Sequence, residues 1–222
     1  MVIPMTAIER TISTTTHGRF LLAPPAGSAP APMLVGFHGY GESVETHLER
    51  LRAIPSADEW LIVSIQGLHR FYNRAANEVV ASWMTRQDRE LAIADNLAYV
   101  SAVIEDVLRE RPAPQIVFAG FSQGVAMTFR AAAAIARPVA GAIAVGGDVP
   151  PEISRQALAN VGSALVCRGV RDEWYTSAIY SGDLGRLREA GVRVEELEFD
   201  GGHEWSDQVN RAAAAFLRNV RT

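Results

Sequence analysis

Gln115-Ile116-Val117-Phe118-Ala119-Gly120-Phe121-Ser122-Gln123-Gly124-Val125 reads as a short apolar strand, a serine between glycines and the start of a helix. The strand covers residues 115–119, and a helical pattern runs over 123–136. A serine at such a strand–turn–helix corner is held in strained backbone geometry. Its neighbours two positions away must be small, because a Cβ there would strike the strand or the helix. The corner lifts the hydroxyl above the carboxyl edge of a sheet, with a helix N-terminus behind it. The pentapeptide alone recurs by chance in a glycine-rich chain. Its place between strand and helix makes Ser122 a candidate nucleophile.

Outward from this stretch, short and mostly apolar runs occupy residues 33–38, 61–66, 141–145, 164–168 and 192–199. Such runs suit strands covered on both faces of a parallel sheet. Between them lie helical patterns at 87–109, 152–160, 177–190 and 205–220, the first with Ile93, Leu97, Val100, Ile104 and Val107 on one stripe. The alternation predicts an α/β fold: an open, mostly parallel central sheet with helices on both faces and little or no cap. Residues 8–16 alternate loosely, which predicts an edge strand with 19–23 as its hairpin partner. Residues 24–32 are a Pro-rich connector. Residues 67–85 show no clean period and follow a strand's carboxyl end, where loops build ligand sites.

The 222 residues point to one domain over 1–222. All 21 basic residues are Arg, which excludes a lysine Schiff base and a Walker A lysine. A net charge of −4 without a basic run gives nucleic-acid binding no electrostatic support. One cysteine, Cys167, excludes an internal disulfide and a cysteine-rich zinc site; it ends a buried strand and reads as a core residue. His17, His47 and His69 lack metal spacing, so no metal is expected. Neither a signal segment nor a membrane-length apolar run is evident, so a soluble cytoplasmic protein without stable membrane insertion is expected.

A serine hydroxyl needs a base, and a base needs an orienting acid. Asp172 follows strand 164–168, and His203 follows strand 192–199 after Gly201-Gly202. Both therefore sit at the strand ends where Ser122 sits, in the chain order serine, acid, histidine. His38-Gly39-Tyr40-Gly41-Glu42-Ser43 follows strand 33–38 and is punctuated by glycine. Its Tyr40 N–H and the Gln123 N–H are candidate oxyanion donors. Asp148 after strand 141–145 is an alternative acid, and His38 an alternative base or a brace for its loop. Asp200 reads as a turn residue. Glu42 and Ser43 read as a brace for the oxyanion loop or merely as a helix start, since Ser43 with Glu45-Thr46 suits an N-cap region. Met33, Met84 and Met127 read as core filling.

These residues resemble the phospholipase/carboxylesterase family of the α/β-hydrolase superfamily, which includes acyl-protein thioesterases. The likeness is carried by His38–Ser43, Ser82-Trp83, Gly120–Gly124, Arg171-Asp172 and Gly201–Glu204, and runs from about Met33 to the C-terminus. It implies Ser122, Asp172 and His203 as nucleophile, acid and base, with oxyanion donors at Tyr40 and Gln123. It also implies cleavage of carboxylic esters or thioesters without metal or cofactor. Departures fall at Glu173-Trp174-Tyr175, where the family tends toward a Val-Pro turn, and over 67–81, which should line the acyl pocket. Trp83, Phe71, Tyr72 and Trp174 are the candidate substrate-binding side chains. Trp83 reads as a wall of the site in preference to plain packing.

The expected function is hydrolysis of short-to-medium acyl esters through an acyl-enzyme on Ser122, with a small-molecule ester or thioester as partner. A homo-oligomer is compatible with the sequence. The rivals are a thioesterase using the same residues and a noncatalytic ligand-binding version of the fold. Arg70, Arg74 and Arg171 are the cations available to attract an acidic substrate, or are simply solvated.

Overall fold

The computed structural model describes residues 7–27, 30–75 and 77–221. Among the described residues seven strands form one sheet: β1 (Phe20–Ala23), β2 (Met33–Phe37), β3 (Leu61–Ile65), β6 (Ile116–Phe121), β7 (Gly141–Val145), β8 (Ser163–Gly169) and β9 (Arg193–Phe199). Their order across the sheet is β1-β3-β2-β6-β7-β8-β9. β1 runs antiparallel to β3 and every other pairing is parallel. The remaining strands, β4 (His69–Asn73) and β5 (Glu78–Ser82), form a separate antiparallel hairpin.

Among the described residues the α-helices are α1 (Val44–Arg52), α2 (Arg89–Glu110), α3 (Gln123–Ala134), α4 (Arg155–Leu158), α5 (Ser177–Glu189) and α6 (Asp207–Arg221), and they flank the sheet on both faces. Successive residues of a strand point to opposite faces, and here each face meets its own core. Met33, Val35, Phe37 and Phe118 pack with Val103 of α2 and Met127 of α3. Leu34, Val117 and Ala119 pack with Leu51 of α1 and Phe216 of α6. The central strands β2, β3, β6 and β7 are buried along their whole length, as a sheet covered on both faces requires. β9 at the edge is only partly covered and carries Glu195, Glu196 and Glu198, charges that discourage further strand pairing.

Three expectations are corrected. No strand forms over residues 8–16; the partner of 20–23 is β3, with Phe20 opposite Ile65. Residues 67–85 are not irregular but contain the β4–β5 hairpin, with Phe71 opposite Val80. The helix expected over 152–160 shortens to α4, because the chain is still turning through Pro150-Pro151 and the helix begins only where Ser154 Oγ accepts from Ala157 N. The Ser43 cap holds: its hydroxyl accepts from Thr46 N at the start of α1.

Parallel pairing aligns the carboxyl ends of β2, β6, β7, β8 and β9 along one edge. The loops leaving them carry Tyr40, Ser122, Asp148, Asp172 and His203.

Candidate active site

Ser122 joins β6 to α3 with φ 52° and ψ −119°, a conformation a non-glycine residue holds only where its surroundings impose it. The constraint comes from close backbone packing. A Cβ on Gly124 would lie 1.9 Å from the Phe37 carbonyl oxygen, and one on Gly120 would lie 2.4 Å from the Gly124 oxygen. Ser122 N–H donates to Val145 O at 2.9 Å, fixing the corner to β7.

The His203 Nε2 lies 2.8 Å from Ser122 Oγ, and its Nδ1 lies 2.8 Å from Asp172 Oδ2. Asp172 is fully enclosed, and its other oxygen accepts from the backbone N–H groups of Trp174 and Tyr175 at 2.9 Å each. A carboxylate can only accept, so Nδ1 carries the proton and Nε2 is free to accept from the serine hydroxyl. The acid and histidine loops are tied together: Arg171 N–H donates to Gly201 O at 2.9 Å. Arg168 braces the acid loop from below, its Nε donating to Tyr175 O at 2.7 Å and one terminal nitrogen to Val170 O at 3.2 Å. Of the two candidate acids, Asp172 is the one in contact with His203; Asp148 is exposed on the cleft wall.

The cleft over Ser122 has a volume of about 490 Å³. Tyr40 and Gln123 border it beside Ser122. Gln123 is the first residue of α3, so its N–H has no partner within the helix. The Gln123 side chain faces the other way: Oε1 accepts from Trp83 N and Nε2 donates to Met84 O, both at 2.9 Å. Across the cleft stand Trp174, which is exposed, and Tyr175 and Ile179. Among the described residues no group of three or more His, Cys, Asp or Glu side chains is arranged to hold a metal ion.

Trp83 is not a wall of this cleft. It is fully buried, stacks on His38 at 5.0 Å and donates its indole N–H to His38 O at 2.8 Å. Its carbonyl accepts from Asn96 Nδ2 at 2.9 Å. His38 is likewise buried. Its Nε2 accepts from Gly67 N at 2.9 Å while its Nδ1 donates to Gly39 O at 2.7 Å. Burial holds the His38 pKa below the ordinary histidine value. Phe71 and Tyr72 sit on the hairpin outside the cleft lining, with Phe71 against Tyr40 at 5.6 Å between ring centroids. Arg171 pairs with Asp200 and Arg70 donates to the His17 carbonyl, so neither faces Ser122.

Glu42, read from the sequence as a brace for the His38–Ser43 loop or as part of a helix start, holds that loop, and its partner Arg50 is what the sequence reading missed. Glu42 Oε2 accepts from Gly39 N at 2.7 Å, and both Glu42 oxygens accept from the fork of Arg50. Arg50 in turn lies 4.5 Å from the Phe121 ring centroid, and Phe121 packs at 5.1 Å on His203. Burial disfavours the Glu42 charge, but Arg50 and the Gly39 N–H outweigh it and hold the carboxyl below its usual range. The same loop is bridged to the hairpin, Gly41 N donating to Ala81 O and Ala81 N to Glu42 O at 3.0 Å each. Nothing in the spacing of Glu42 and Arg50 announces this contact.

A family model described as Phospholipase/Carboxylesterase matches residues 24–220. No curated protein matches the chain. Among solved structures, a carboxylesterase from Mesorhizobium loti superposes with a TM-score of 0.76 at 18% identity, covering 90% of this chain and 94% of that one. Zea mays acyl-protein thioesterase 2 gives 0.72 at 15% identity, over 93% of this chain and 100% of that one. The Bacillus cereus carboxylesterase gives 0.72 at 18% identity, over 91% and 94%. At these identities the likeness speaks for the fold.

Proposed function

This chain belongs to the phospholipase/carboxylesterase family, and from that membership we propose a serine carboxylesterase that hydrolyses short-to-medium acyl esters. The observation that carries the reading is the line from Asp172 Oδ2 through the His203 ring to Ser122 Oγ, two contacts of 2.8 Å on a strained serine.

Ser122 Oγ attacks the acyl carbonyl carbon while His203 Nε2 takes the hydroxyl proton. Asp172, already accepting from Nδ1–H, stabilises the imidazolium that forms. The carbonyl electron pair moves onto oxygen, and the N–H groups of Tyr40 and Gln123 receive that oxyanion. Collapse of the tetrahedral species expels the alcohol with the proton from His203, leaving the acyl group on Ser122. Water, deprotonated by His203, repeats the attack and frees the acid. The donors are backbone groups, so their placement depends on the packing of Gly39, Trp83 and Glu42 described above. Losing one such donor costs about 2.7–4 kcal/mol of transition-state stabilisation.

The cleft opens directly on solvent at Tyr40 and Trp174, both well exposed, which favours short and medium chains over long ones. Labelling with a fluorophosphonate tests the nucleophile: Ser122 takes the label and Ser122→Ala does not. Persistent labelling of the variant removes the assignment. p-Nitrophenyl acetate, butyrate and palmitate, run beside the matching thioesters, test the substrate. A strong preference for palmitate, or for thioesters, overturns the esterase reading in favour of a long-chain enzyme or a thioesterase.

A further inference from the structure

We propose that the cleft selects esters that carry a positive charge, an amine or a quaternary ammonium group, and that Asp148 is the side chain that recognises it. The proposal deepens the serine-esterase reading and rests on it for turnover, but the recognition of charge stands on the geometry of the cleft itself.

Among the described residues Asp148 is the one carboxylate on the cleft lining, and no Arg side chain lines the cleft with it. Among the described residues no hydrogen bond or ion pair engages the Asp148 side chain, in contrast to Asp172, Asp183 and Asp200. Arg186, whose guanidinium binds the segment that follows Asp148, is occupied: it donates to the carbonyls of Val149, Pro150 and Ile153 and pairs with Asp183 at 3.6 Å.

The backbone that carries Asp148 is pinned on both sides. On its C-terminal side Val149 is held at both ends, its N–H donating to Asp183 Oδ2 at 2.9 Å and its carbonyl accepting from Arg186 at 2.7 Å. On its N-terminal side Gly146 N–H donates to Cys167 O at 3.0 Å, and Gly147 packs so tightly that a Cβ would lie 2.3 Å from Ser122 O. The carboxylate thus stands one residue from a backbone that touches the nucleophile's own. Tyr40 and Trp174 line the same cleft, 62% and 79% exposed; Tyr40 leans on Phe71, whereas among the described residues no ring contact engages Trp174. An unpaired carboxylate sharing a cleft with exposed aromatic side chains is the chemistry that receives an organic cation. An acidic substrate meets the same carboxylate with no counter-charge, since Arg70 and Arg171 are committed outside the cleft.

The test compares matched substrates that differ only in charge. Acetylcholine is set against its carbon isostere dimethylbutyl acetate, and p-nitrophenyl trimethylammoniobutyrate against p-nitrophenyl dimethylhexanoate. The enzyme is expected to favour the cationic member of at least one pair by about three- to tenfold in kcat/KM at low salt, less at high salt. Asp148→Asn is expected to bring that ratio close to one. Asp106→Asn, which removes the same charge from the exposed face of α2, is expected to keep it. A second arm needs no turnover: phenyltrimethylammonium is titrated against the Trp174 indole N–H signal in both proteins, with at least threefold weaker binding expected in Asp148→Asn. Equal ratios in wild type and Asp148→Asn, or a wild-type preference for the neutral members, overturns the proposal. Should no ester turn over, the esterase reading falls and the titration alone decides, an unchanged affinity in Asp148→Asn counting against the proposal.

Discussion

Arg50 grips Glu42 with both terminal nitrogens, at 2.7 and 2.9 Å, and both side chains are less than one-fifth exposed. The pair links two parts of the candidate machinery that are far apart in the chain. Through Glu42 it holds the N–H of Gly39, at the base of the loop that carries Tyr40. Through its guanidinium face it presses on Phe121, which packs on His203.

Removing Arg50 leaves Glu42 a mostly buried carboxylate with the Gly39 N–H as its remaining hydrogen-bond donor. Arg50→Met is therefore expected to destabilise the fold by about 2–4 kcal/mol, near the cost of breaking a buried pair from one side. Urea denaturation measures this, and a cycle with Glu42→Gln isolates the coupling. Because the loop that shifts carries an oxyanion donor, kcat is expected to fall more than KM rises. Arg50→Lys keeps the charge and loses the fork, so intermediate values are expected. Equal stability of Arg50→Met and the wild type overturns this account.

His47 lies beside the same guanidinium, which donates to its Nδ1 at 3.2 Å. Burial, and then the charge of Arg50, lowers its pKa to about 3. The folded protein therefore keeps His47 neutral, whereas the unfolded chain binds a proton there below about pH 6.5. The unfolded state holds the extra proton, so stability falls as pH drops from about 6.5 toward 3, by up to about 1.4 kcal/mol per pH unit from this group. Glu42, whose carboxyl is held below its usual range, adds to the loss once pH falls under the ordinary carboxylate value. Melting curves between pH 7 and 4 check the sign. A protein whose stability is flat or rising over that interval contradicts the burial of a neutral His47.

The parts of the site that could be read in advance share one property: local chain geometry places them. Ser122, Asp172 and His203 each follow a strand of a parallel sheet, and parallel strands bring their carboxyl ends to one edge whatever their order in the sheet. The glycines around Ser122 and His203 mark where backbone passes close to backbone. The features that could not be read depend on contacts between distant segments. Residues 19–23 pair with β3 instead of with their neighbours, and no local pattern distinguishes those partners. The β4–β5 hairpin has residues 69–72 open to solvent, so no buried face imposes alternation on His69-Arg70-Phe71-Tyr72. Trp83 reads as a cleft wall because residues 67–85 follow a strand's carboxyl end; its indole N–H instead meets a carbonyl 45 positions away in the chain. Arg50 is one of 21 arginines, and only its partners distinguish it.

Three glycines test how tightly the corner at Ser122 is built. Gly124 has no room: an added Cβ meets the Phe37 oxygen at 1.9 Å and the His38 oxygen at 2.7 Å, both backbone atoms that cannot rotate away. Gly124→Ala must push α3 off β2, and a loss above about 4 kcal/mol is expected, with little soluble protein. Gly146 combines φ +64° with a Cβ position 3.3 Å from His203 Cε1. Gly146→Ala is expected to cost about 1–3 kcal/mol in backbone strain and to lower kcat by crowding the imidazole. Gly182 lies in α5 on the exposed surface with nothing within 4 Å of an added Cβ. There alanine removes freedom only from the unfolded chain, so Gly182→Ala is expected to stabilise by about 0.5–1 kcal/mol with activity unchanged. Thermal melts and ester turnover on the three variants give the ranking. A soluble, active Gly124→Ala enzyme is incompatible with the backbone contact that forces Ser122 into its strained conformation.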